Sequence, residues 1–183
     1  MDRQTLKSNA RIALAEHRWI SVLALLINSA LISAASMIPG GGLVLTGVLT
    51  FGSTAFFLRK TNDLMFLFKG FNNFVKTFLA GLLQQLYISL WTLLFIIPGI
   101  VKTYSYAMTY YILNDHPELS ANEAITKSRE MMDGHKWDLF VLQLSFLGWD
   151  LLGMLTFGIL NVLYVNPYRQ YAMAEFYNSI KGE

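Results

Sequence analysis

The sequence predicts an all-α, multi-pass transmembrane bundle of about six spans arranged as three hairpins. A short amphipathic helix precedes the first span, and another lies between the fourth and fifth. Three observations predict this. Hydrophobic residues make up 54% of the 183 positions and charged residues 14%, with a mean hydropathy of +0.42, far from the usual soluble balance. Apolar runs close to the roughly 20 residues that a membrane helix needs recur along the chain, separated by short charged patches. Twelve of the 14 lysines and arginines fall ahead of the first run, between runs two and three, between four and five, or in the tail, and the short turns carry none. By the positive-inside rule both termini and the long loops face the cytoplasm.

The opening stretch, 1–18, is mostly polar and too long for the basic region of a signal peptide, so it reads as a cytoplasmic amphipathic lead-in. Leu6, Ala10, Ala13 and Leu14 share one side at helical spacing, and Arg3, Lys7, Arg11 and Arg18 are available to lipid headgroups. Hairpin 1 occupies 19–58, its spans Trp19–Met37 and Leu43–Leu58 separated by Ile38-Pro39-Gly40-Gly41-Gly42, where proline fixes φ and glycine permits a tight reversal. The basic segment Arg59–Lys76 is expected along the membrane interface. Hairpin 2 occupies 77–113, with Pro98-Gly99 as its outer turn and Ile100–Leu113 as the fourth span.

The loop 114–138 is soluble in character. Ser120-Ala121-Asn122-Glu123 is a capping box, in which serine and glutamate satisfy each other's backbone amides, so a short helix is expected to follow and to stop at Gly134. Hairpin 3 covers 139–178, with spans Leu139–Phe157 and Gly158–Tyr177 and a turn at Gly158. The chain therefore reads as a single integral membrane domain over 1–183. MIPGGG against IIPGIV, and YAM at 106–108 and at 171–173, suggest repeated hairpins, although chance matching in an apolar alphabet explains them equally well. Glycines recur every five residues at 42, 47 and 52 and at 148, 153 and 158. That spacing drifts around a helix, which favours close packing within the chain over a dimer face.

Chemistry is sparse. Cysteine is absent, so disulfides, thiolate metal sites and a cysteine nucleophile are excluded. The histidines at 17, 116 and 135 have no ligand spacing, and neither phosphate-binding nor nucleophile-elbow motifs occur. No catalytic, cofactor-binding or metal residue is expected, and a net charge of +2 gives no case for nucleic acid. What needs explaining is charge inside the spans: Lys102, Asp150, Arg169 and Glu175. Each costs a few kcal/mol in hydrocarbon unless paired, hydrated or able to snorkel. At about 1.5 Å of rise per residue, Lys102 lies roughly 5 Å below the outer turn, Asp150 roughly 10 Å and Arg169 about 16 Å. An Asp150–Lys102 pair is therefore geometrically open. Asn166, Arg169 and Gln170, with the Tyr104 or Tyr106 hydroxyls, form either a polar cavity or a cluster that locks helices together.

The run LLFIIPGIVKTYSYAMTYYIL, the helix SANEAITKSREMM, His135-Lys136 and VNPY together resemble the bacterial integral membrane proteins grouped as domain of unknown function 975. The similarity extends weakly over the N-terminal half. Asp150 departs from it, since an apolar residue is usual there. The resemblance implies a multi-pass protein of the bacterial cell membrane and no particular activity. A non-enzymatic accessory, anchoring or regulatory envelope component is expected first. A small oligomeric transporter or pore using the polar site near Arg169 comes second, and an intramembrane enzyme a distant third. The expected partners are membrane lipids, a protein docking on 120–133 and a second copy of the chain.

Overall fold

The computed structural model describes residues 3–182. Every regular element among them is helical: α1 Arg3–Ser36, α2 Gly41–Arg59, a 3-10 helix Leu64–Asn73, α3 Phe74–Leu94, α4 Ile96–Ser105, α5 Thr109–Asp115, α6 Ala121–Met131, α7 Lys136–Leu144, α8 Leu147–Leu155, a π-helical stretch Asn161–Val165 and α9 Asn166–Ile180. Four stretches are long and apolar enough to cross a membrane: Arg3–Ser36, Gly41–Arg59, Leu64–Leu94 and Lys136–Leu155. The other two expected spans are not single apolar helices. One is split into α4 and α5, and the other joins the π-helical stretch to α9, which carries Asn166, Arg169, Gln170 and Glu175.

The polar lead-in and the first apolar run form one helix with a kink at His17 (φ −119°, ψ 22°). The kink falls where the composition changes. His17 Nδ1 lies 2.7 Å from Asn62 Oδ1, which ties it to the connection that follows α2. Leu6, Ala10, Ala13 and Leu14 are all buried, so the apolar stripe of the lead-in packs on the protein itself. The first turn closes through Gly40 in the left-handed region (φ 80°).

The segment after α2 departs from expectation. Instead of spreading along the interface, residues 64–73 fold back along α2 as a 3-10 helix and continue into α3. Glycine makes this possible: a Cβ on Gly52 would lie 1.9 Å from the Leu67 carbonyl oxygen, and one on Gly70 would lie 2.2 Å from that of Val48. The five-residue glycine spacing of α2 follows from having two neighbours, because Gly47 faces α3 and Tyr110 while Gly52 faces the 3-10 helix.

The expected turn at Pro98-Gly99 moves to Phe95, whose extended backbone (φ −157°, ψ 139°) separates α3 from α4. Pro98 becomes the third residue of α4, in the first turn, where a missing N–H costs no intrahelical bond. Gly99 instead permits close approach, since a Cβ there would lie 2.2 Å from Thr92 Oγ1 on α3.

The helix expected between spans four and five does form behind its capping box. The Ser120 N–H donates to Glu123 Oε2 at 2.7 Å and the Glu123 N–H to Ser120 Oγ at 3.3 Å. It packs along α3 and α5, burying Ala121, Ala124, Ile125 and Ser128 against its own chain. The aromatic core lies where α1, α2 and α9 converge with the junction between α7 and α8: Phe57 meets Tyr171 edge-on at 5.0 Å, and Phe146 meets Tyr168 at the same distance. Large apolar side chains crowd the surface where the expected outer turns lie, among them Met37, Leu93, Ile97, Leu155 and Phe157, the last 98% exposed. Water penalises so much exposed apolar surface, whereas lipid accepts it.

Candidate functional site

The eight polar residues expected inside the spans do not converge on one site; six of them separate into four local arrangements, and Asn166 and Gln170 join none of these. The first joins α8 to α9. Arg169 Nη2 donates to both carboxylate oxygens of Asp150, at 2.8 and 2.6 Å, and its guanidinium lies 5.5 Å from the centroid of the Phe146 ring. Asp150 is four residues after Phe146, one helical turn, so the carboxylate and the ring approach the guanidinium together. Both charged side chains keep about a third of their surface exposed. The Asp150–Lys102 pair does not form, and Arg169 takes its acceptor from α8 rather than from Glu175, Asn166 or a tyrosine hydroxyl.

The second arrangement holds Glu175. Lys60 Nζ, just past the end of α2, lies 2.6 Å from Glu175 Oε1, and Asn9 Nδ2 donates to Oε2 at 3.5 Å. Glu175 thus cross-links α1, α2 and α9. In the third, the Tyr104 hydroxyl donates to Gln143 Oε1 at 3.2 Å, which joins α4 to α7. Asn166 is exposed and Gln170 half-buried on the first turns of α9.

Lys102 and Tyr106 belong to the fourth arrangement, a cleft between α3, α4 and α6. Lys102 Nζ sits 4.6 Å from the Trp91 ring centroid and 6.0 Å from that of Tyr106. Arg129, from α6, lines the same cleft. Sequence reading put Arg129 in a separate loop, and nothing in its spacing signals that α6 folds back onto α3. The partners Phe146, Lys60 and Asn9 were equally illegible, since none is polar inside a span.

A further polar contact stabilises the interruption between α4 and α5. The Met108 N–H donates to Ser128 Oγ at 3.1 Å, while the Ser128 hydroxyl donates to the Ser105 carbonyl at 2.9 Å. Gln84 Nε2 donates to the Tyr106 carbonyl at 3.1 Å. A broken helix leaves such backbone groups open, and neighbouring side chains supply their partners.

Among the described residues no three His, Asp or Glu side chains gather in a way that could hold a metal ion. No curated protein and no solved structure matches the chain. Residues 94–183 match the family described as "Protein of unknown function (DUF975)". The match begins at the end of α3, so the N-terminal half lies outside it, whereas α4 to α9 and all eight candidate residues lie within it. This C-terminal segment of the chain is similar to that uncharacterised family.

Proposed function

We propose that this chain is a non-enzymatic, multi-pass protein of a bacterial cell membrane that serves as an accessory, anchoring or regulatory component of the envelope. On this reading both termini and the starts of the segments 59–76 and 114–138 face the cytoplasm, in keeping with the distribution of lysine and arginine, and from there the 3-10 helix folds back along α2 and α6 along α3. The observation that carries the choice between scaffold and transporter is the Arg169–Asp150 pair. A guanidinium poised to take an anion in transit needs an uncompensated charge, and here a carboxylate already neutralises it at 2.6 Å. Its charge is spent on holding α9 to α8.

Proteoliposomes test this reading. Vesicles containing the full chain, challenged with a panel of neutral, anionic and cationic solutes, are expected to show the flux of protein-free vesicles. The double variant Asp150→Leu/Arg169→Met is expected to behave identically. A flux that is specific to the wild-type chain and lost in that variant would replace the scaffold with a transporter.

A further inference from the structure

α6 brings a charged face to a part of the fold that the sequence assigns to lipid. Its apolar side is buried on α3 and α5, which leaves Asn122, Glu123, Arg129 and Glu130 exposed. The Tyr87 hydroxyl, from the second half of α3, donates to Asn122 Oδ1 at 3.3 Å. Hydrocarbon does not tolerate a face of this kind, so water or polar headgroups must reach it. Where α6 meets α3 and α4 a cleft of about 220 Å³ opens, lined by Tyr87, Trp91, Lys102, Tyr106, Asn122, Thr126 and Arg129.

The lining contains two cations and no carboxylate. This sets it apart from the Arg169 arrangement, where Asp150 neutralises the charge. Lys102 rests over two aromatic rings, which attract an ammonium through their negative faces but carry no net charge. Among the other polar groups of the lining, which include the Tyr87 and Tyr106 hydroxyls, the Asn122 amide and the Thr126 hydroxyl can donate. Positive charge, a guanidinium fork and neutral donors on one wall match a phosphate, which accepts several hydrogen bonds at once. The aromatic wall suits an apolar body attached to it. The volume is below the roughly 300 Å³ at which pockets for drug-sized ligands begin and is of the size of a headgroup.

We infer that this cleft binds a phosphate-bearing anion, with Lys102 and Arg129 as its charge partners and Trp91 beneath it. The phosphate can come from an anionic phospholipid headgroup or from a free phosphate in solution. Such a site goes beyond the envelope role proposed above and does not depend on it.

The test uses the full chain in neutral detergent and follows thermal stability during titration with dihexanoyl phosphatidylglycerol, dihexanoyl phosphatidylcholine and sodium phosphate, at constant ionic strength. Phosphatidylglycerol is expected to raise the melting temperature by several degrees, and the zwitterionic lipid to leave it unchanged. Lys102→Met and Arg129→Gln are each expected to weaken the titration midpoint about tenfold, the loss of one charge-assisted hydrogen bond. Arg18→Gln, against Tyr164 on the π-helical stretch, is expected to leave it unchanged. A response to inorganic phosphate with the same variant dependence identifies a free anion as sufficient; a response to the lipid alone identifies the headgroup. Arg129 is exposed, so its variant carries the test should Lys102→Met fail to fold. No response to either anion, or a response undiminished in both variants, would overturn the inference.

Discussion

Ser128 on α6 and Met108 between α4 and α5 form one hydrogen-bonded unit: the Met108 N–H donates to the Ser128 hydroxyl, which donates in turn to the Ser105 carbonyl. Both residues are buried, so no water can replace the serine. Ser128→Ala is expected to cost about 1–3 kcal/mol, because it orphans a buried donor and a buried acceptor. Denaturant or thermal unfolding of the detergent-solubilised protein measures it. A variant as stable as the wild type would mean that α6 does not close the break.

The Arg169–Asp150 pair predicts a non-additive cycle. Asp150→Leu leaves a guanidinium with an aromatic ring but no acceptor, whereas Asp150→Leu/Arg169→Met removes both charges. The single variant is expected to be less stable than the double by about 1–2 kcal/mol, a modest figure because both side chains are partly exposed. Additive losses would show that the two charges act independently.

Glycine substitutions separate contact from mere flexibility. Gly52→Ala forces the Leu67 backbone away from α2 and is expected to cost about 1–3 kcal/mol, as overpacking does. Gly148 sits in α8 with nothing within 4 Å of an added Cβ. Gly148→Ala is therefore expected to be neutral or to stabilise by up to about 1 kcal/mol, the helix-propensity difference. Equal effects at the two positions would contradict the packing of the 3-10 helix on α2.

Much of this was legible in the sequence and some was not, for reasons that can be named. Helices announced themselves by composition and caps: the lead-in stripe at Leu6, Ala10, Ala13 and Leu14 and the Ser120–Glu123 box depend only on residues a turn apart. Pro98 misled because proline is compatible both with a turn and with the first turn of a helix, and only the Gly99–Thr92 contact distinguishes them. The candidate residues were found because charge in an apolar run is conspicuous. Their partners were not, because Asp150 pairs with Arg169, and Lys102 comes to share a cleft with Arg129, through tertiary packing that local periodicity does not encode.

The capping box carries a pH dependence. Hydrogen bonds from the Ser120 side chain and backbone hold the Glu123 carboxyl below its ordinary value. Its folded value is depressed, so its contribution to α6 is fully present above the ordinary value of about 4.5 and is lost as pH falls through the lower folded value. Amides of the first turn of α6 are expected to exchange faster, relative to the intrinsic rate, as pH drops through that window. In Glu123→Gln, where the amide keeps the cap without titrating, they are expected not to. Identical pH profiles would remove the carboxylate from the cap.

The central claim is that the chain crosses the membrane repeatedly, with its apolar turns outside and its basic loops inside, and labelling of single cysteines with a membrane-impermeant reagent on intact cells tests it most directly. Met37, Ile97 and Phe157 are exposed beside the expected outer turns, while Asn72, Glu118 and Gly182 are exposed on the segments expected inside. Cysteine at the first three positions is predicted to react from outside, and at the last three only after the cells are opened. Reaction of Asn72→Cys or Glu118→Cys in intact cells would contradict the layout.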